Sequence, residues 1–295
     1  MTVITFRTIE GDEISFGTGR LKLITASGLE TPPLGVSIAQ GPGVDGVIAI
    51  TATTRVRYIA IDAAIDCEGL EEADEASEKR TICEALKIHA GEGTLFVERL
   101  GRRRKIGAQP SREPIFVKRS WSEAWQRFSV EFVCRQPYFM DIEPEISEVT
   151  YFAALTEFSE EGIEFDEDGI ELATILHTGN RTKTINNQGN VAAPLRIRFS
   201  GPIVNPFIRN TTSGEILRIS GIIADGEYLE VNTEPGNRTI TLHRHGIENN
   251  GMHYMDLLST FWQLIPGENI IEIGDDSPGE GSEALFEFAG RHLEA

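Results

Sequence analysis

The sequence predicts a mainly β protein with two domains. An N-terminal β-sandwich or split-barrel-like domain with one helix and one hairpin is expected over 1–140. A second β-sandwich is expected over 141–280, and 281–295 form a tail that is expected to pack on the first domain. Three observations carry this expectation. Glycine (29 residues) and proline (13) interrupt the 295-residue chain often enough for many short strands. Apolar residues recur mainly with a period of two. Only one stretch has the period of a helix.

Through residue 61 the chain reads as short apolar pieces between turns: Ile14 and Phe16, Leu21 and Leu23, Val47 to Ile50. Thr31 to Gly46, TPPLGVSIAQGPGVDG, reads as a long loop, and a loop of that length in a compact domain is functional or touches a partner. The helix falls within 72–90, where Ile82, Ala85, Leu86 and His89 share one side. Glu71, Glu72, Asp74 and Glu75 at its start, with Lys87 and His89 in its last turn, suit the helix dipole, and Gly91 suits its ending.

Thr94 to Leu100 and Arg102 to Ile106 read as a hairpin turning at Gly101, its second arm strongly basic through Arg102, Arg103, Arg104 and Lys105. Ile115 to Lys118 is another strand. Phe128, Val130, Phe132 and Cys134 alternate with Ser129, Glu131, Val133 and Arg135, the pattern of a half-buried strand that Pro137 ends. Between Glu157 and Glu171, Phe158, Ile163, Phe165 and Ile170 interrupt eight acidic residues, which reads as strands with an acidic outer face. Beyond it, Leu195, Ile197 and Phe199, then Leu217 and Ile219, Leu229 and Val231, and Ile240 and Leu242 give strands at sandwich spacing. GNRT occurs at 179–182 and 236–239 and suggests two similar hairpins. Leu257 to Ile273 enters a turn at Pro266-Gly267-Glu268-Asn269 and reads as the closing hairpin.

With 46 acidic against 27 basic residues, the net charge of −19 argues against a general binder of nucleic acid or of anionic membranes. Cys67, Cys83 and Cys134 match neither a disulfide framework nor a zinc spacing and read as free thiols of a reducing cytosol. No stretch is long and apolar enough to span a bilayer as a helix. The sequons at Asn180, Asn210 and Asn237 carry no weight without a secretion signal.

His243, His245 and His253 form the one metal-like group. His243 and His245, two apart on a strand, share a face that can hold zinc with a third ligand, though exposed histidines beside a turn are the simpler reading. Glu164, Asp166 and Asp168 imitate the start of a calcium loop, but Ile175 stands where its closing carboxylate belongs. No nucleophile elbow, phosphate-cradling glycine loop or distinctive carboxylate pair appears, so neither catalysis nor a cofactor is expected. The Arg102–Lys105 arm is read either as a contact with an acidic partner or as a solvated strand. Trp121, Trp125 and Trp262 can stack on sugar rings if exposed, and Trp262, within an apolar run, is assigned to the core.

Ordered landmarks in the second half carry a resemblance. Asn187-Gln188-Gly189-Asn190 leads through Pro194 into Leu195 to Phe199. Gly201-Pro202-Ile203-Val204-Asn205-Pro206 follows, then Ile208 and Asn210, Gly214-Glu215-Ile216, and Gly226-Glu227-Tyr228-Leu229. Phe261-Trp262 to Pro266-Gly267-Glu268-Asn269 completes the series. The chain thereby resembles the distal tail proteins of long-tailed, non-contractile bacteriophages. The motif residues are Pro202, Asn205, Pro206, Gly226, Trp262, Pro266, Gly267 and Asn269, with Arg102 to Lys105 as a partner contact.

The resemblance implies a structural virion protein of a phage or prophage. It would be a homo-hexameric ring at the tail tip, made and assembled in the host bacterial cytoplasm, that joins the tail tube to the adsorption apparatus. The first domain would build the ring and the second, galectin-like or carbohydrate-module-like, would project from it. Tail tube protein, tape-measure protein and tail-tip or receptor-binding proteins would be partners. Genomic DNA would pass through the lumen without specific binding, and no membrane insertion is implied. The alternatives are a carbohydrate-binding module protein contacting host-surface glycans and, further off, a cell-wall glycosidase.

Overall fold

The computed structural model describes residues 2–39, 42–43, 45, 49–88, 91–118, 124–150, 153–155, 175–177, 182–278 and 283–295. The acidic stretch 157–171, the calcium-like residues within it, Trp121, His89 and most of the first GNRT copy lie outside these residues. The described chain is mainly β with one α-helix, and every strand pairing is antiparallel. It divides into two units, Met1–Ile142 with Arg291–Ala295, and Glu143–Gly290.

The first unit has one bent sheet. Its order is Glu13–Phe16, Val3–Arg7, Gly93–Arg99, Arg102–Pro110, Trp125–Cys134, Arg57–Asp66, Leu21–Ser27, and it does not close into a barrel. Only two residue pairs, Phe132↔Pro110 and Val133↔Gln109, join the halves at the bend. The halves therefore fold face to face, and Phe6 from one meets Phe132 from the other with ring centroids 4.9 Å apart. The period-two pattern builds this core: Phe128, Val130, Phe132 and Cys134 are all buried, as are Ile59, Ile61, Ala63 and Ile65 on the strand paired with them.

The hairpin Gly93–Arg99/Arg102–Pro110 turns through Leu100 (φ 53°) and Gly101 (φ 77°). Positive φ at both central residues is the twist that a two-residue hairpin needs. Helix α1 spans Glu72–Ala85, with acidic Glu72, Asp74 and Glu75 in its first turn. It ends earlier than the sequence suggested: Leu86 makes the last backbone bond, to Ile82, and the Ile88 carbonyl accepts the Gln109 amide at 2.9 Å instead of continuing the helix.

Two differences from expectation matter in this unit. The expected loop Thr31–Gly46 contains a strand, Leu34–Ala39, which pairs antiparallel with Ala49–Thr54 in a separate two-stranded hairpin. The other concerns the end of the chain. Glu283–Phe288, including Leu285, Phe286 and Phe288, is a strand of the second unit's six-stranded sheet, and only Arg291–Ala295 pack in the first.

The second unit is a sandwich. The order of one sheet is Glu145–Thr150, Glu283–Phe288, Arg196–Ser200, Tyr228–Asn232, Thr239–Arg244, Ile247–Asn250. The order of the other is Thr182–Asn187, Gly267–Gly274, Phe207–Asn210, Glu215–Arg218. Ile197, Phe199, Leu229, Val231, Ile240, Leu242 and Phe286 of the first sheet share one buried cluster with Ile185, Ile208, Leu217, Ile271 and Ile273 of the second, and Trp262 lies inside it, 2% exposed. The Gly267–Gly274 strand does not close a terminal hairpin. It sits between Thr182–Asn187 and Phe207–Asn210, both distant in sequence. The second GNRT copy lies in the connection between the paired strands Tyr228–Asn232 and Thr239–Arg244, as a hairpin requires, while the first lies mostly outside the described residues.

Candidate assembly surface

The hairpin Leu34–Thr54 is the most conspicuous surface of the first unit. Leu34 (61%), Val36 (54%), Ile38 (62%) and Ile50 (64%) are exposed, and neither strand pairs with any other described strand. Its composition differs from the rest of the chain. Residues 34–54 contain one charged residue, Asp45, in a chain that is 25% charged. Depletion of charge with retained aliphatic side chains marks the core of a protein–protein contact. An isolated two-stranded hairpin is marginal in water and gains stability once a partner covers it.

The root of this hairpin is fixed from several sides. The Arg55 amide donates to the Pro33 carbonyl at 2.8 Å and closes the base. Arg57, 1% exposed, donates to the carbonyls of Gly28 (2.6 Å), Glu30 (2.6 Å), Pro137 (2.7 Å) and Leu293 (2.5 Å) and lies over the Phe139 ring. Burial lowers the guanidinium pKa from its ordinary value, and four backbone carbonyls accept its N–H hydrogen bonds. Gly28 is required here: its φ is +82°, and a Cβ would come within 2.0 Å of the Tyr58 carbonyl oxygen.

The basic arm divides in two. Arg104 is 7% exposed and donates to the Glu294 carbonyl at 2.5 Å, and Lys105 donates to the Ile142 carbonyl at 2.7 Å. Both serve the fold of their own unit. Arg102 and Arg103 are exposed, and Arg103 and Arg7 both lie over the Phe96 ring, at 5.3 and 5.0 Å. The exposed positive surface is thus Arg7, Arg102 and Arg103, of which Arg7 is also paired with Glu13.

In the second unit the landmark residues do structural work. Asn269, fully buried, accepts from the Ile265 amide (3.0 Å) and Asn210 Nδ2 (2.9 Å) through Oδ1, and donates through Nδ2 to the carbonyls of Ile265 (2.8 Å) and Gly267 (2.9 Å). Asn210 Oδ1 in turn accepts the amides of Thr212 and Ser213. Asn187, 1% exposed, donates to the carbonyls of Val191 and Leu264 and accepts the Gly189 amide. Three buried asparagines thereby do the work of backbone pairing where the chain turns.

Asn205 (φ 50°) accepts the Gly221 amide at 2.8 Å and donates to Asp276 at 2.7 Å, and the Pro206 carbonyl accepts the Ile219 amide. Pro202 and Pro266 flank strand starts, at Ile203 and Gly267. Gly226 (φ 72°) and Gly267 (φ 89°) supply left-handed turns. Beside Gly226, Glu227 is held by Arg244 at 2.6 and 3.1 Å, a bidentate pair that pulls its carboxyl below the ordinary range.

The metal-like histidines do not converge. The strand ends at Arg244, and His245 (φ 51°) sits in the turn with Gly246 (φ 76°), so His243 and His245 do not share a strand face as expected. His243 stacks on Tyr228 at 4.2 Å, the Arg198 guanidinium lies 4.3 Å from the same ring, and His253 lies against Tyr254. Among the described residues no three His, Cys, Asp or Glu side chains form a metal-binding group. Trp125 is 42% exposed, in the first unit.

Together these features describe an antiparallel β protein of two units whose buried polar residues hold its corners and whose outstanding described surface is an aliphatic hairpin with a single charged residue, Asp45. Residues 188–288 match the family model described as siphovirus-type tail component, C-terminal domain, which bears out the resemblance to distal tail proteins read from the sequence. The chain is similar in fold to the crystal structure of the Dit protein of phage SPP1, at 12% identity and a TM-score of 0.66 over 99% of both chains. That protein is described as a paradigm of the hub adsorption apparatus in phages infecting Gram-positive bacteria. It is also similar to a chain of the phage p2 baseplate in its activated, strontium-bound conformation, at 11% identity and a TM-score of 0.51 over 98% of both chains. At such identities the likeness speaks for the fold. No curated protein sequence matches the chain.

Proposed function

We propose that this protein is a non-catalytic hub of a long-tailed phage tail, a homo-hexameric ring that joins the tail tube to the adsorption apparatus of the tip. The observation that carries this reading is the tail-component match over residues 188–288, set in a fold shared along 99% of the chain with a phage hub protein. The nearly uncharged hairpin supports self-assembly. Covering Leu34, Val36, Ile38 and Ile50 in each subunit would contribute about 4–7 kcal/mol, from about 1.5–3 kcal/mol per fully buried side chain scaled to the exposed fraction. Like-charged copies at −19 each repel, so contact is favoured where the chain carries almost no charge. Arg102 and Arg103 would meet an acidic surface of a neighbour. Tail tube, tape-measure and tip proteins are the further partners, and DNA would pass an acidic lumen without adhering. Assembly takes place in the host cytoplasm.

The test is Ile38→Asp. A carboxylate placed in the subunit contact must be desolvated without a partner, which costs several kcal/mol. The variant should stay folded by circular dichroism and lose assembly by about 100-fold or more in sedimentation velocity. Unchanged assembly would remove the hairpin from the contact.

A further inference from the structure

The segment Arg291–Ala295 converges on the root of the apolar hairpin. Three consecutive carbonyls on the connection leading into that hairpin, at residues 28–30, are all occupied. Those of Gly28 and Glu30 accept Arg57, and that of Leu29 accepts the Ala295 amide at 2.9 Å. Arg57 simultaneously donates to the Leu293 carbonyl, so a single buried guanidinium ties residue 293 to residues 28 and 30. On the returning side, Tyr138 Oη lies 3.1 Å from Thr54 Oγ1, and the Arg291 guanidinium lies over the Tyr138 ring at 5.8 Å.

The segment itself is firmly seated. Arg291 and His292 pair with Met140 and Phe139, His292 Nε2 is 2.9 Å from Asp141 Oδ1, and Arg104 holds the Glu294 carbonyl. Arg291 and His292 are 4% and 7% exposed. Above the root, by contrast, among the described residues the hairpin strands pair only with each other.

We propose that Arg291–Ala295 is a latch that fixes the pose of the Leu34–Thr54 hairpin for its contact with a second copy of this chain. A hairpin with no sheet of its own would otherwise pivot about its root, and assembly would have to bear the entropy of orienting it. Holding the root in advance removes that cost. The segment follows directly from the second unit's strand Glu283–Phe288, with two residues between, so a pull on that strand would act on the latch. The inference rests on the assembly reading above.

The experiment compares the full chain with a chain ending at Gly290, and with Ala295→Pro, which removes one donor and leaves the rest of the latch. Amide hydrogen exchange is read over residues 34–54 and, as the folding control, over Arg57–Asp66 and Trp125–Cys134. Sedimentation velocity reads assembly. We expect at least tenfold faster exchange at 34–54 in the truncated chain, with the two control strands protected, and loss of assembly that the added peptide Arg-His-Leu-Glu-Ala restores in part. Ala295→Pro should give a smaller acceleration in the same segment, which keeps the test decisive if truncation also loosens the control strands. Unchanged exchange at 34–54 in both variants would overturn the latch. If the full chain itself stays monomeric, also with tail tube protein added, the hub reading fails while the exchange arm still decides the latch.

Discussion

Asn269→Ala tests the claim that the landmark residues of the second unit are structural. The wild-type side chain is fully buried and makes four hydrogen bonds, accepting from Ile265 N and Asn210 Nδ2 and donating to the carbonyls of Ile265 and Gly267. Each is worth about 1 kcal/mol net, and a buried group left without its partner loses about 1–3 kcal/mol. Gly267 is exposed, so water can replace its bond, whereas Asn210 is fully buried. The sum is about 3–4 kcal/mol, a large share of a domain's stability. Urea unfolding of the full chain, followed by near-ultraviolet circular dichroism, reads it as a lower midpoint for the second unit. Asn269→Asp should cost as much despite equal size, because it turns two donors into acceptors facing carbonyl oxygens. Asn249→Ala, at an exposed position with one 3.3 Å bond, should be within about 0.5 kcal/mol of wild type. A loss below about 1 kcal/mol for Asn269→Ala would show that these four hydrogen bonds do not hold the corner.

Two further outcomes follow from the first unit. Native protein should react with a thiol reagent at Cys83 alone, since Cys67 and Cys134 are buried and burial pushes the Cys134 thiol up to about 12; all three should react in denaturant, and fast labelling of Cys134 in the native state would contradict its position. Burial lowers the His292 pKa below 6.5, with Asp141 opposing and Arg104 reinforcing, so the unfolded state takes up the proton first. Its contribution is complete above pH 6.5 and is lost as the pH falls through the folded value, so urea midpoints at pH 7.5 and 5.5 should differ less in His292→Gln than in wild type. An equal difference in both proteins would show that folding leaves the His292 pKa where it is in the unfolded chain.

Local pattern carried much of the fold into the sequence. Alternation at Phe128–Cys134 and at Leu195–Phe199 identified strands whose inward residues are buried, because a half-buried strand needs nothing beyond its neighbours. The hairpin Leu34–Thr54 was legible only in part. Leu34, Val36 and Ile38 alternate, but Pro32, Pro33 and the glycines around them argue for loop, and no core contact forces the strand state. The roles of Arg57 and Arg104 could not be read locally, since their carbonyl partners include Leu293 and Glu294, more than 180 residues away. The same distance hid the pairing of Gly267–Gly274 with Thr182–Asn187 and turned an expected hairpin into a central strand. The asparagine corners stood out as landmarks, but their hydrogen bonds exist only once distant segments meet.

Native mass measurement of the purified full chain, paired with negative-stain images of the same sample, decides whether the chain forms the hub ring. A hub ring gives a six-chain species of ring shape, reduced to single chains by Ile38→Asp. A strict monomer at high concentration, unchanged when tail tube protein is added, would contradict it.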